Sequence, residues 1–412
     1  MSARRVLAVF GVLAMLVAGC DRPGTAGDQG GAAAGRSAGG GGRSAPVDPA
    51  WQELTLPAPP GPAGRLLLRD AVSCAGRWFL VGGVVDAAGD TRPAAWSSTD
   101  GSSWSPVPIA ARTFYGRQHV LYAAACAPGP AGGRGEGRVA ALGAKNGGVH
   151  GNPRTGTWVR DDAGALREVP AAFELFGGPR AVSASRLAAG AGGWLIAGGR
   201  VDGAAVWTSP DAGGFTLAEG LPELAGDARG RTAAYDVVAL PAGWLVVGSL
   251  LPAGGTALTP LAWTSVDGRS WRRAELPTRG GRGRAERVTL LDGVPVAVGP
   301  VPDGFAVWRA DDGSRWQRVG AFGAAGPGVL SVVGLTVARG VLVAVTGDGA
   351  GRSAWASSDG GASWRAVTVP LTVADGGDTA MAVAGGVDRL LLMADDGRGS
   401  RAWWGAVASA GW

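Results

Sequence analysis

One phrase recurs along the 412-residue chain, and it limits the fold more than any other feature. A small residue and Trp are followed four positions on by Asp, then by Gly or Ala, and usually by a second Trp. It reads AWSSTDGSSW at 95–104, TWVRDDAGAL at 157–166, VWTSPDAGGF at 206–215, AWTSVDGRSW at 262–271, VWRADDGSRW at 307–316 and AWASSDGGASW at 354–364. With the first Trp as marker (Trp96, Trp158, Trp207, Trp263, Trp308, Trp355), the spacings are 62, 49, 56, 45 and 47 residues. A further 49 residues lead to Trp404, in the weaker seventh copy AWWGAVASAGW. Self-similarity at a period of about 40–50 residues marks an array of like units that bury their apolar faces against one another.

Each unit carries an apolar run upstream of the phrase, opened by Gly in most copies: GRWFLVGG (76–83), GWLIAGG (193–199), GWLVVGS (243–249), GVPVAVG (293–299), GVLVAVTG (340–347) and, without the Gly, DRLLLMAD (388–395). Another short apolar run precedes these, as in LSVVGLTVA (330–338), and an alternating segment such as WRRAELP follows the second Trp. Four short strands per unit of about 45–60 residues is the period of a propeller blade. The sequence therefore predicts an all-β fold, a seven-bladed β-propeller spanning 51–412. Trp51 to Pro57 reads like Trp271 to Pro277, a fourth strand with no first three before it, while the chain ends at Trp412 with a seventh unit lacking its fourth. The N-terminal strand is expected to complete the last blade and leave no open sheet edge in the ring.

The phrase resembles the Asp-box (BNR repeat), Ser-x-Asp-x-Gly-x-Ser/Thr-Trp, of sialidase-like propellers. The copy from Ser357 to Trp364 matches in full, and those at Ser98 and Ser265 match with one residue deleted; the copy at Ala310 loses the Ser, that at Ser209 ends in Phe215, and that at Trp158 keeps little beyond Asp162. The resemblance implies that these turns join the third and fourth strands on the face opposite the ligand mouth. A short Asp carboxylate there accepts N–H bonds from its own turn, and Gly supplies a positive-φ position. Asp100, Asp162, Asp211, Asp267, Asp312 and Asp359 are accordingly read as fold residues.

The N-terminus has its own pattern. Arg4 and Arg5 precede an apolar run from Val6 to Ala18 and the tetrapeptide Val17-Ala18-Gly19-Cys20. That run suits a secretory signal peptide (1–19), which needs about 7–15 apolar residues, and is short for a membrane span of about 20. Small residues ahead of Cys20 form a lipobox, so acyl chains on Cys20 are expected to hold the protein on the outer face of the cytoplasmic membrane. Residues 20–50 are Gly, Ala, Ser, Arg and Asp with no apolar period, a tether of roughly 30 Å reach. GAAAGRS within it lacks the lysine of a phosphate-binding loop. The whole resembles an Asp-box β-propeller lipoprotein of a high-GC bacterium.

Cys74 and Cys126 each end a first-strand run in neighbouring units, so in an exported protein they either pair as a disulfide or stand as two buried thiols. With only His119 and His150 for imidazoles, the sequence offers no metal cluster, and it suggests no cofactor. The formal charge of +5 is modest, and export argues against nucleic acid as a partner. Arg65, Arg117, Arg180, Arg231 and Arg284 fall near first-strand starts. They form either a partial ring facing one anionic ligand at the mouth or a set of solvated loop charges. The longest unit inserts APGPAGGRGEG (127–137) and KNGGVHGNPRTG (145–156), polar loops suited to recognition or to decoration, with His150, Asn152 and Arg154 in the second.

Two functions follow. One is a monomeric, non-catalytic binding or scaffolding module for an envelope protein or anionic glycan, with the membrane engaged through Cys20. The other is a divergent sialidase-like glycoside hydrolase. Sialidases use an Arg cluster, a Tyr nucleophile with a Glu partner, and an Asp acid/base. Here Arg65 stands in Arg65-Leu66-Leu67, without the Pro of the Arg-Ile-Pro motif, the tyrosines are Tyr115, Tyr122 and Tyr235, and after Glu223 only Glu275 and Glu286 remain. These departures favour the binding module.

Overall fold

The computed structural model describes residues 45–127, 137–146, 153–311 and 315–407. The signal segment with Cys20, most of the tether, His150, Asn152 and Asp312 lie outside the described residues. Seven sheets form, six of them with the first strand innermost and the fourth outermost. The inner strands are Arg65–Cys74, Val120–Ala127, Ala181–Gly190, Gly230–Leu240, Arg287–Leu291, Ser331–Ala338 and Ala380–Gly385, and they define blades one to seven. Neighbouring inner strands pack side by side around a central channel. This is the seven-bladed β-propeller that the repeat predicts.

Blade seven closes as expected. Gln52–Glu53 pairs antiparallel with Ser400–Ala406, Gln52 opposite Trp404 and Glu53 opposite Trp403, and Leu54 N–H extends the pairing to the Ala402 carbonyl. The ordered strap begins earlier than the expected boundary at residue 50. Val47 is 3% exposed and bridges Val367 on the outer edge of blade six in parallel. The Trp51 indole donates to the Thr368 carbonyl, and Arg365 donates to the carbonyl of Ala45. One apolar side chain, Val47, thus converts the end of a Gly-rich tether into part of the fold.

The marker Trps explain the packing. Trp96, Trp158, Trp207, Trp263 and Trp308 are each at most 1% exposed and face the preceding blade. A buried indole N–H needs an acceptor. Trp96, Trp207, Trp263 and Trp308 find it in the loop entering their own blade, at the carbonyls of Pro57, Leu175, Glu223 and Pro277. Burying an indole of about 150–250 Å² at ~25 cal/mol/Å² is worth roughly 4–6 kcal/mol as an upper bound, so these contacts outweigh the bond of about 1 kcal/mol that aims them. In blade seven the spacing misleads by one residue. Trp403 pairs with Leu392 and faces blade six, as a marker does, whereas Trp404 points the other way, against Trp78 and Trp104 of blade one. Successive strand residues face opposite sides, so the slip exchanges one interface for the other.

The Gly that closes each second-strand run has a reason too. Five inner strands carry a bulge, at Arg69, Tyr122, Ser185, Tyr235 and Val333. A Cβ on Gly248, beside the Tyr235 bulge, would stand 1.8 Å from the Ala233 carbonyl oxygen. In this blade the bulge brings backbone against backbone, and only Gly leaves room.

Candidate functional site

The repeated turns lie at the far end of the blades from the first-strand starts. In blade four, Asp267 accepts the N–H groups of Arg269 and Ser270 at 2.8 Å and the Ser265 hydroxyl at 3.1 Å. Ser265 Oγ in turn accepts Gly268 N–H, and the Trp271 indole donates to the Gly268 carbonyl. Those backbone bonds hold the Asp267 carboxyl down at about 2. Asp100 and Asp359 make the same set with Ser98 and Ser357. In blade three Asp211 accepts Gly213 N–H, and Ala212 holds the positive-φ position at 61°. Blade two departs from expectation. The turn acceptor is Asp161, which takes Ala165 N–H and the Arg167 guanidinium, because the small residue that would orient Asp162 is replaced by Arg160.

Opposite these turns, the mouth leads into a channel laced from blade to blade by side chains. Asp70 accepts the Ala124 N–H of blade two, the Tyr122 hydroxyl donates to the Ala184 carbonyl of blade three, and Ser185 donates to Ala234 of blade four. Asp236 accepts Val288 N–H of blade five, Glu286 accepts Val332 N–H of blade six, and Thr336 accepts Gly385 N–H of blade seven. Ser400 completes the circle by accepting Leu68 N–H of blade one. Every pair of neighbours is joined by one such bond, and each buried acceptor or donor is thereby satisfied.

Within this belt, four charges occupy one register. Asp70, Arg186, Asp236 and Arg287 pair with Val81, Ala197, Val247 and Val298, equivalent positions of their second strands. Arg186 crosses the channel: Nη1 bonds Asp70 at 3.2 Å and reaches the Tyr122 carbonyl, while Nη2 donates to the Val333 carbonyl of blade six. Arg287 Nε donates to the same Val333 carbonyl at 3.2 Å. Burial and then the neighbouring Arg186 push Arg287 down to about 10. Burial pushes Asp70 and Asp236 up, against the pull of Arg186 and Arg287. The arrangement plugs the axis with two carboxylates and two guanidiniums whose formal charges cancel.

The five arginines singled out by position do not act as one ring. Arg65 bonds Asp395, which it shares with Arg69. Arg284 bonds Glu286 and the Leu330 carbonyl and lines a cleft of about 330 Å³ with Leu258, Val301 and Leu330. Arg180 is held by Asp202 and Glu219. Arg117 is exposed in the turn Gly116–Gln118, and Arg231 is exposed on the rim of a separate shallow cleft with Asp227 and Pro252. Arg65, Arg180 and Arg284 each meet a different carboxylate from their own or the adjoining blade, and the shared register does not aim the guanidiniums at one point. Cys74 and Cys126 are joined in a disulfide, Cα–Cα 5.5 Å, linking the inner strands of blades one and two at the turn face. Among the described residues no group of His, Cys, Asp and Glu is placed to hold a metal ion.

The residues that the sequence reading passed over are the quartet and Glu168. Asp70, Arg186, Asp236 and Arg287 each lie eleven residues ahead of their second-strand partner, so a lone charge at constant offset inside an apolar strand was the available signal. Glu168, 4% exposed, accepts the N–H groups of Arg112 and Thr113 and the Thr113 hydroxyl, fixing the loop that enters blade two. His119 closes the same loop. It accepts the Trp158 indole N–H at 3.2 Å, and burial holds it at about 4 and hence neutral.

No known family profile matches the chain, and no curated protein matches its sequence. Solved structures do. The Hadza microbial sialidase Hz136 aligns over 83% of this chain and 66% of its own at 13% identity, with a TM-score of 0.43. A puromycin hydrolase S511A mutant complexed with PGG aligns over 81% and 50% at 14% identity, TM-score 0.49. A protein from Lactobacillus plantarum aligns over 81% and 95% at 12% identity, TM-score 0.49. The chain thus spans about two thirds of that sialidase and half of that hydrolase.

Proposed function

We propose that this protein is an exported lipoprotein, anchored by acyl chains on Cys20 at the outer face of the cytoplasmic membrane, whose propeller is a non-catalytic module binding an envelope protein or anionic glycan at its mouth. The observation that carries this reading is the belt. Three carboxylates of the channel, Asp70, Asp236 and Glu286, each spend an oxygen on a neighbouring blade's N–H, a fourth, Asp395, is taken by Arg65 and Arg69, and Arg186 reaches across the axis. The common glycosidase mechanism needs two carboxyl groups free to face one substrate, roughly 5–9.5 Å apart, and the sialidase variant replaces one of them with a Tyr nucleophile that must be free as well. Tyr122 and Tyr235 are also engaged, with Ala184 and Ser249, and burial pushes both hydroxyls up, away from the ionised nucleophile. The repeated Asp turns, read as Asp-boxes, serve the fold on the opposite face.

The strap supports an orientation. Ala45 sits beside Arg365, where the outer strand of blade six leaves its Asp turn, so a lipid anchor joined there would favour a mouth turned away from the membrane. Crosslinking and pull-down from intact cells tests the module. Enrichment of an envelope component, lost when Cys20→Ala releases the protein, is expected; no enrichment over a control carrying only the lipid and tether sinks it. The hydrolase reading draws on one observation, that the charges of the Arg284–Glu286 pair, just ahead of the next inner strand, act on Tyr235. Turnover of a fluorogenic sialoside that Tyr235→Phe abolishes would establish that reading instead.

A further inference from the structure

The mouth rim over blades two and three exposes three aromatic rings in one continuous row, and this is unlike the rest of the surface. Phe114 is 65% exposed, Tyr115 37% and Phe173 51%. Phe114 and Tyr115 meet edge to face at 5.3 Å. The Arg154 guanidinium lies between the last two rings, 5.3 Å from the Tyr115 centroid and 4.4 Å from that of Phe173. Large apolar side chains left together in water mark a binding surface, and a guanidinium held over aromatic faces keeps its edge donors free for a partner.

The row is rigid by construction. Phe114 and Tyr115 ride on the loop pinned by Glu168, and a Cβ at Gly116 would fall 2.0 Å from a Glu168 oxygen. Phe173 opens the one-turn helix Phe173–Phe176, whose Glu174 and Gly177 carbonyls accept from Arg200 and whose Leu175 carbonyl accepts from Trp207. Buried polar groups therefore hold exposed rings in place, which removes the ordering cost of binding. The charge around the row is positive. Among the described residues, Arg112 and Arg117 are exposed beside it with no carboxylate bonded to their guanidiniums, against one exposed carboxylate in the row itself, Glu174.

We propose that this row is a subsite for an acidic polysaccharide, with pyranose faces stacked on Phe114, Tyr115 and Phe173 and sugar carboxylates taken by Arg154 and its basic flanks. Flat rings separated by a guanidinium fit alternating C–H faces and acid groups. A protein hot spot would be expected to add aliphatic anchors, and the flanking residues here are Ala111, Gly116 and Gly177. This deepens the binding-module reading and rests on it.

The full-length chain in detergent is titrated with polygalacturonate and with dextran as the neutral control, followed by calorimetry. Polygalacturonate is expected to bind and dextran not. Phe114→Ala/Phe173→Ala should weaken binding about tenfold, and Arg154→Lys, which keeps the charge but loses the planar stack, by about threefold or more. Tryptophan fluorescence and the unfolding midpoint confirm that each variant is folded. Absence of polygalacturonate binding, or binding that the double variant retains, overturns the assignment. If it fails while intact-cell crosslinking still captures an envelope protein, the binding module stands and only the glycan assignment falls; if both fail, so does the module.

Discussion

On the turn face, Asp100, Asp267 and Asp359 each bond groups two to three or four residues away, Ser98 to Ser103 in the first case and Ser357 to Ser363 in the last. At the channel and mouth, Asp70, Asp236, Glu286 and Asp395 bond groups on other blades, 46 to 330 residues distant. The same carboxylate serves both ends of the molecule, in one case closing a hairpin and in the other closing a ring. A local device can be copied with the repeat, since everything it needs travels with it. A device that joins two blades must suit both, and so the inter-blade bonds vary: Asp70 and Asp236 repeat one arrangement, while the others use Tyr, Ser, Glu or Thr.

The contrast can be broken most forcefully where the two ends meet. Trp263 fills the interface of blades three and four and aims its indole at the mouth-side loop through Glu223. Trp263→Ala should cost about 3–5 kcal/mol, and Trp263→Phe only about 1–2, since it keeps most of the packing and loses one bond to a carbonyl that still accepts from Arg273. Urea unfolding midpoints distinguish the two. Equal losses would mean that the loop bond, rather than burial, holds the blade.

The disulfide is the one covalent cross-link between blades among the described residues. It spans 52 residues at the turn face. Cys74→Ser/Cys126→Ser should lower stability by about 2–4 kcal/mol, measured against the same protein under reducing conditions, where wild type is expected to fall to the level of the variant. A variant as stable as oxidised wild type would show that the inter-blade belt alone closes the ring.

Next comes the channel. Arg186→Met leaves Asp70 in a channel where both side chains are about a fifth exposed, 23% and 18%. Breaking a buried pair costs about 3–5 kcal/mol, so about 2–3 is expected here, with much of it recovered in Asp70→Asn/Arg186→Met. If the double variant is as unstable as the two single losses added, the quartet is a set of solvated charges and the channel is no different from the rim.

What the sequence discloses divides along the same line. Blade number, the closing strand at Trp51, and the turn roles of Asp100, Asp267 and Asp359 are legible because each rests on residues close together or repeated in register. The pairing of Arg186 with Asp70 is not, since it depends on how far blade three turns from blade one. Trp404 is misplaced for a smaller reason: two Trps stand side by side in blade seven, and spacing alone does not distinguish the two faces of a strand. In blade two, Asp161 rather than Asp162 holds the turn because Arg160 stands where the other copies keep a small side chain. The row of Phe114, Tyr115 and Phe173 escaped notice because two separate connections bring it together.

The smallest effect separates the two classes of carboxylate by the sign of their response to acid. Asp267, held at about 2 against an unfolded value of about 3.9, favours the folded state above that unfolded value, and its contribution is lost as pH falls through the folded one. Asp236 behaves in reverse. Its carboxyl is pushed up by burial, so ionising it disfavours the folded state, and acidification from above the ordinary carboxylate range relieves that cost. Stability measured by thermal melts should therefore fall less steeply between about pH 4 and pH 2 in Asp267→Asn than in wild type, while Asp236→Asn should lose whatever rise wild type shows on approach to pH 4 from above. An Asp267→Asn variant with an unchanged acid limb would place the turn carboxylates outside the energetics of the fold. Opposite changes in the two variants would show that the turn face is built on charges the chain stabilises locally, and the channel on charges it tolerates only in company.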